Sequence, residues 1–302
     1  MNLLILSIVL CLIAGAAVDT GSVCVVRAVN EAIAGRATLA LGVLSTLLAA
    51  SLVFFIDTTM HWHLRQAPWA WPSLVTIVGA AVFSIGAVVN GACAMGTVTR
   101  LCRGDIGYLA TIIGALAFTM MVPRPMLPSL PPGEGATMGL QWLTIVALFV
   151  LVPMLILRQH ISGRIILSYT VMGLIAAVLA NLRGDWTWLR LFQTIQAGVP
   201  IRIEAIAGIA AVLVGATTMA MFRGHFKLTR PQPRKMAREA IGGGLMAAGA
   251  VMIPGGNDVL LIYGLPSGSP HAIVAYILIV TVLVLLLRGK DVVRPWLVWP
   301  RP

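Results

Sequence analysis

Apolar residues gather in nine blocks along this chain: 2–18, 38–56, 74–90, 106–122, 140–157, 165–182, 205–222, 239–253 and 271–287. Crossing a hydrocarbon core of ~30 Å as a helix takes about 20 mostly apolar residues, so each block reads as a membrane helix. The eighth, IGGGLMAAGAVMIP, is short and glycine-rich, and needs neighbours to pack against at membrane depth. The first, MNLLILSIVLCLIAGAA, lacks the basic start of a secretory signal and is expected to be retained as a helix. No water-soluble linker interrupts the series. The expected fold is an all-α polytopic membrane protein, with one transmembrane domain over 1–302.

Composition agrees. On length alone, 302 residues would make about two soluble domains. Apolar types supply 59% of the chain and charged ones 10%, against roughly 25% charged in a soluble domain. Mean hydropathy is +0.96. The net charge of +11 would suggest nucleic-acid binding in a soluble protein, but here the basic residues sit in short loops between apolar blocks. They act instead as topology signals. With the C-terminus in the cytoplasm, sixteen of the 21 Lys and Arg lie inside, and Arg65, Arg124, Arg183, Arg190 and Arg202 lie outside. The expected topology is N-terminus outside and C-terminus cytoplasmic, in a bacterial inner membrane. Tryptophans gather where interfacial belts belong: Trp62, Trp69 and Trp71; Trp186 and Trp188; Trp296 and Trp299.

Two short strings recur in the same order. Glu31–Gly35 (EAIAG) returns as Glu204–Gly208 after 173 residues, and Gly86-Ala87-Val88 returns as Gly249-Ala250-Val251 after 163. They suggest a repeat over about 1–125 and another over about 165–287, joined by the helix at 140–157 and followed by a tail at 288–302. An odd number of spans separates the copies, which gives them opposite orientations in the bilayer, as in many transporters. Segments 19–36 and 91–105, with counterparts 190–204 and 254–270, are too short or too polar to cross alone. They read as re-entrant half-helices meeting at the centre, since irregular backbone at that depth must be buried in protein or line a wet cavity.

Two of these stretches, NGACAMGTVTRLCRGDIGYLATIIGA and GGGLMAAGAVMIPGGNDVLLIYGLPSGSPHAIVAY, resemble the YeeE/YedE family of sulphur-compound transporters. The resemblance implies an hourglass of half-helices with cysteines near its centre, which pass thiosulfate or a related sulphur anion by thiol contacts. It also implies a small cytoplasmic sulphurtransferase as partner. The cysteines it selects are Cys24, in GSVCVVR, and Cys93, in NGACAMG. The chain departs from the family pattern in its second half, which has no cysteine. Cys93 maps by the 163 spacing onto Gly256, and Cys24 by the 173 spacing onto Ala197.

The residues themselves support part of this. A thiol is a polarisable group that costs little to bury, and suits a soft sulphur anion in a dry passage. Half-helix N-termini turn free N–H groups toward an anion. Gly91 and Gly96 beside Cys93, and Gly255 and Gly256 beside Asn257, allow backbone close to a ligand. Asn257 and His271 are further donors. Either cysteine could equally be a small core residue, the reading kept for Cys11 and Cys102. Asp258 either carries a coupled proton or caps the helix beginning at Val259. Glu31 either does the same work or pairs with Arg27. His61-Trp62-His63 offers two ligands and no third, and no four-cysteine or P-loop spacing exists, so no metal, nucleotide or other cofactor is expected. The leading expectation is uptake of a small sulphur anion. The alternatives are a membrane-embedded sulphurtransferase that forms a persulfide on Cys93, and a structural assembly factor.

Overall fold

The computed structural model describes residues 2–60, 70–121, 163–182, 186–253 and 255–293. The expected connecting helix at 140–157, the His61-Trp62-His63 triplet, and Trp296 and Trp299 lie outside them. Among the described residues every regular element is helical, apart from an isolated bridge between Asp105 and Thr229.

Six helices precede the undescribed central stretch: α1 (Asn2–Gly21), α2 (Val25–Ile33), α3 (Thr38–Met60), α4 (Leu74–Asn90), α5 (Ala94–Cys102) and α6 (Leu109–Met121). Six follow it: α7 (Gly163–Leu182), α8 (Trp188–Gln196), α9 (Ile203–Phe222), α10 (Pro233–Met252), α11 (Asn257–Val259, continued by a π-helical turn over Leu260–Gly264) and α12 (Pro270–Val293). Six stretches among the described residues are long and apolar enough to cross a membrane, and a seventh if α10 and α11 form one span. This is a multi-pass α-helical membrane protein.

Two of the four segments expected to be re-entrant follow directly on longer helices. α1 with α2, and α4 with α5, read together as candidate spans of 31 and 29 residues, Leu3–Ile33 and Leu74–Cys102. The cause is local. Ser22 is left-handed at φ 52° and Cys24 is extended, which interrupts the helical bonds for a few residues. Gly91, left-handed at φ 80°, ends α4 in the same way before the extended Cys93.

Packing partners alternate between the two sets of helices. α1 packs on α9 and α3 on α7; α6 packs on α10 and α12 on α4; α12 also meets α2, and α6 meets α8. The interior rows are built from small residues, so backbones approach closely. A Cβ on Gly243 of α10 would lie 2.0 Å from the Thr111 carbonyl oxygen of α6, and one on Gly114 of α6 would lie 2.0 Å from that of Ala240. The glycine-rich eighth run thus finds the neighbours it needs.

At one end, buried charge knits the loops together. Asp19, fully buried in the last turn of α1, receives Arg103 Nε at 2.6 Å and Arg223 from the end of α9. Arg103 also donates to Ser22 Oγ and to the Asp19 carbonyl, which satisfies an orphan acceptor at the end of α1. The pentapeptide match has no structural counterpart, because Glu31–Gly35 closes α2 whereas Glu204–Gly208 opens α9.

Candidate functional site: two thiols at a meeting of helix ends

Cys24 is the N-cap of α2 and Cys93 is the N-cap of α5. Both are buried, and Cys93 Sγ donates to Cys24 Sγ across 3.6 Å. Gly96 makes this contact possible: a Cβ there would sit 2.5 Å from Cys24 Sγ. Neither sulphur makes a side-chain cap bond, so the first-turn amides of α2 and α5, which follow the two cysteines directly, are not taken up by them. Two nine-residue helices therefore present their N–H ends, with their partial positive charge, around one pair of sulphurs.

A third helix end joins them from the second half. Trp188, the first residue of α8, donates its indole N–H to the carbonyl of Ala94, the first residue of α5, at 3.2 Å. The N-cap of α8 is Thr187, which stands 163 residues after Cys24, the same spacing that carries Cys93 to Gly256, the N-cap of α11. By that spacing the N-cap Thr187 aligns in sequence with the N-cap Cys24. Ala197, reached by the pentapeptide spacing, closes the opposite end of α8.

The second cluster is polar and tight. A Cβ on Gly256 would meet Asp258 Oδ1 and Leu189 Cδ2, each at 2.6 Å. Gly255 is left-handed at φ 127°. Asn257 and Asp258 are buried, and no protein group makes a hydrogen bond of good geometry to Asn257 Oδ1 or to either Asp258 oxygen. The Thr187 hydroxyl and the amide of Val259 lie nearest the carboxyl group, with Arg190 in electrostatic range. The helix begins at Asn257 with Gly256 as its cap and no side-chain cap bond, so Asp258 does not cap it as the sequence suggested. α11 packs on α5, which brings the two clusters together.

Other expected residues fall elsewhere. His271, buried at the start of α12, has Nδ1 2.7 Å from Ser269 Oγ and its amide bonded to the Ala70 carbonyl. Glu31 accepts from Arg27 Nε at 3.0 Å, the bland reading of that residue. Cys11 is packed beside Gly208, and Cys102 bonds to the Leu213 carbonyl. Among the described residues no group of three or more His, Cys, Asp or Glu could hold a metal ion.

Two residues near the thiols escaped the sequence reading. Tyr169 on α7 is fully buried, its ring against Gly21 and Gly42, and its hydroxyl has no hydrogen-bond partner. Tyr276 on α12 also has a buried, unpartnered hydroxyl. Tyr169 lies in electrostatic range of both thiols, and Tyr276 of Cys93. In an apolar run a tyrosine looks like packing; only its unmet hydroxyl sets it apart.

A profile of the sulphur transport family matches the chain twice, over residues 20–161 and 134–285. The chain belongs to that family. Membership makes it a transport protein for sulphur compounds and not an enzyme. The chain is also similar to the thiosulfate transporter TsuA of Spirochaeta thermophila, 26% identical over 259 residues, which cover 72% of this chain and 78% of that protein.

Proposed function

We propose that this protein carries thiosulfate inward across a bacterial inner membrane, through a narrow passage lined by Cys24 and Cys93. The observation that carries the reading is the pair of buried thiols in contact at two converging helix N-termini. Gly91 and Gly96 on one side, and Gly255, Gly256, Asn257 and Asp258 on the other, complete the walls. The passage lies between two inverted copies, about 1–125 and 165–287, whose corresponding helix caps are Cys24 with Thr187 and Cys93 with Gly256. The double family match and the exchange of packing partners support that plan.

The chemistry follows from replacing water. An anion that leaves water must find donors in exchange, and backbone N–H groups at helix ends provide them without a fixed counter-ion. Thiols are weak donors, matched to the diffuse terminal sulphur of thiosulfate and poorly matched to the compact oxygens of sulfate. Neutral donors also let the anion go, a condition of passage. A small cytoplasmic sulphurtransferase that consumes the product would keep flux inward.

The test is uptake of radiolabelled thiosulfate into proteoliposomes. Wild type is expected to accumulate label above empty vesicles and to ignore excess unlabelled sulfate. Cys93→Ala is expected to lose at least about tenfold in rate, the loss of one hydrogen bond to a charged group at its lower bound. No uptake by wild type, or full uptake by the variant, overturns the reading. A persulfide found on Cys93 after turnover would instead make the chain a sulphurtransferase.

A further inference from the structure

The two halves offer different donors. The first brings two sulphurs to the meeting point; the second brings none, and carries instead Tyr169 and Tyr276, whose buried hydroxyls no protein group satisfies. A buried hydroxyl without a partner is costly, and two on helices packed around the segment that leads into Cys24 call for an explanation.

Tyr169 is held firmly. Its ring occupies the space left by Gly21 and Gly42, where a Cβ on Gly42 would lie 2.6 Å from the ring. Its carbonyl accepts from Thr46 Oγ1 at 3.0 Å. Gly21 is three residues before Cys24, so the ring packs at the end of α1, just before the break that leads into the buried thiol. Tyr276 belongs to α12, the helix that packs on α2. Every constraint fixes the rings, and none engages the oxygens.

We infer that the Tyr169 and Tyr276 hydroxyls receive the oxygen-bearing end of a sulphur anion whose terminal sulphur rests on Cys24 and Cys93. The inference rests on the transport reading and deepens it, since it orients the substrate and names its class: an anion with one soft end and one oxygen-rich end. Sulfate offers only the second kind of end, and hydrosulfide only the first. Phenol groups also donate without charge, so they hold the sulphonate oxygens without trapping them. The missing second-half cysteine is then no defect: soft contacts at one end and hydroxyl contacts at the other suffice.

Tyr→Phe substitution provides a direct test, because it removes only the hydroxyl. Purified protein is heated in detergent with sodium thiosulfate, with sodium sulfate, or with neither. Wild type is expected to be stabilised by thiosulfate and not by sulfate. Tyr169→Phe and Tyr276→Phe are expected to need about tenfold more thiosulfate for the same stabilisation. Without ligand they should melt at the wild-type temperature or above it, since an unsatisfied buried group has been deleted. Phe variants that bind thiosulfate as wild type does, or that melt earlier without ligand, overturn the inference while leaving thiosulfate transport intact. Absence of any thiosulfate effect on wild type overturns the thiosulfate reading of the site, and this inference falls with it.

Discussion

Gly96 is the residue on which the thiol contact turns. Any side chain there would press on Cys24 Sγ, at 2.5 Å for a Cβ alone, so Gly96→Ala forces the sulphurs apart or shifts the first turn of α5. Diamide, which takes two hydrogens from a pair of thiols as it is reduced to its hydrazine, reads the contact. In wild type the two sulphurs lie 3.6 Å apart, against about 2 Å in a disulfide. Treated protein is expected to yield one crosslinked peptide joining Cys24 to Cys93, lighter by two hydrogens and split by reductant. Gly96→Ala should give at least a several-fold lower yield; equal yields would show that the sulphurs meet without help from the glycine. Both cysteines were legible in the sequence, through the motifs around them. Thr187 and the tyrosines were not, because a hydroxyl in an apolar run shows its role only when its helix register and neighbours are known.

Helix packing rests on the same absence of side chains, multiplied along α10. Its glycines face α4 on one side and α6 on the other, and Gly243 meets the Thr111 carbonyl so closely that no rotamer could relieve an added side chain. Gly243→Val is expected to destabilise the protein by ~3 kcal/mol or more, at the upper end for overpacking. It would be seen as a lower melting temperature and loss of a monodisperse peak in size-exclusion chromatography. Gly163→Ala, at the open start of α7 where a Cβ meets nothing within 4 Å, is the matched control and should change neither. A folded, monodisperse Gly243→Val would mean that α6 and α10 are not in this contact. Of the nine apolar blocks, six fall on helices long enough to cross a membrane among the described residues, 239–253 falls on one half of a bent pair, 106–122 holds a shorter apolar helix, and 140–157 lies outside the described residues. The breaks were less legible. Ser22 is a left-handed residue without glycine's signature, and the α11 turn is π-helical, so neither boundary follows from composition. The two copies of EAIAG fall at different places, one closing α2 and the other opening α9, since a five-residue match can arise by chance.

At the scale of the molecule, two basic loops among the described residues are joined at one end. The loop after α5 and the loop after α9 are joined by the Lys227 amide on the Arg103 carbonyl and the Thr229 amide on that of Gly104. Lys235 closes on Asp105, and Arg103 and Arg223 share Asp19. Two loops far apart in the chain, both rich in Arg and Lys, thus lie at the same end of the bundle. By the excess of Lys and Arg that cytoplasmic loops of membrane proteins carry, that end is expected in the cytoplasm. In the proposed inward transport the same end would receive the anion, and its arginines would offer it a favourable field before it diffuses away. The C-terminal tail carries the same charge sign, with Arg288, Lys290, Arg294 and Arg301, and is expected on the same side. A green fluorescent protein fused after Pro302 should therefore fluoresce in bacterial cells, and alkaline phosphatase fused there should be inactive. Replacing Arg288, Lys290, Arg294 and Arg301 by Gln should leave both signals unchanged, because the cluster around Asp19 and Asp105 still holds the basic face inside. An active phosphatase on the unmodified chain would reverse the orientation, and with it the direction in which the thiol pair meets the anion.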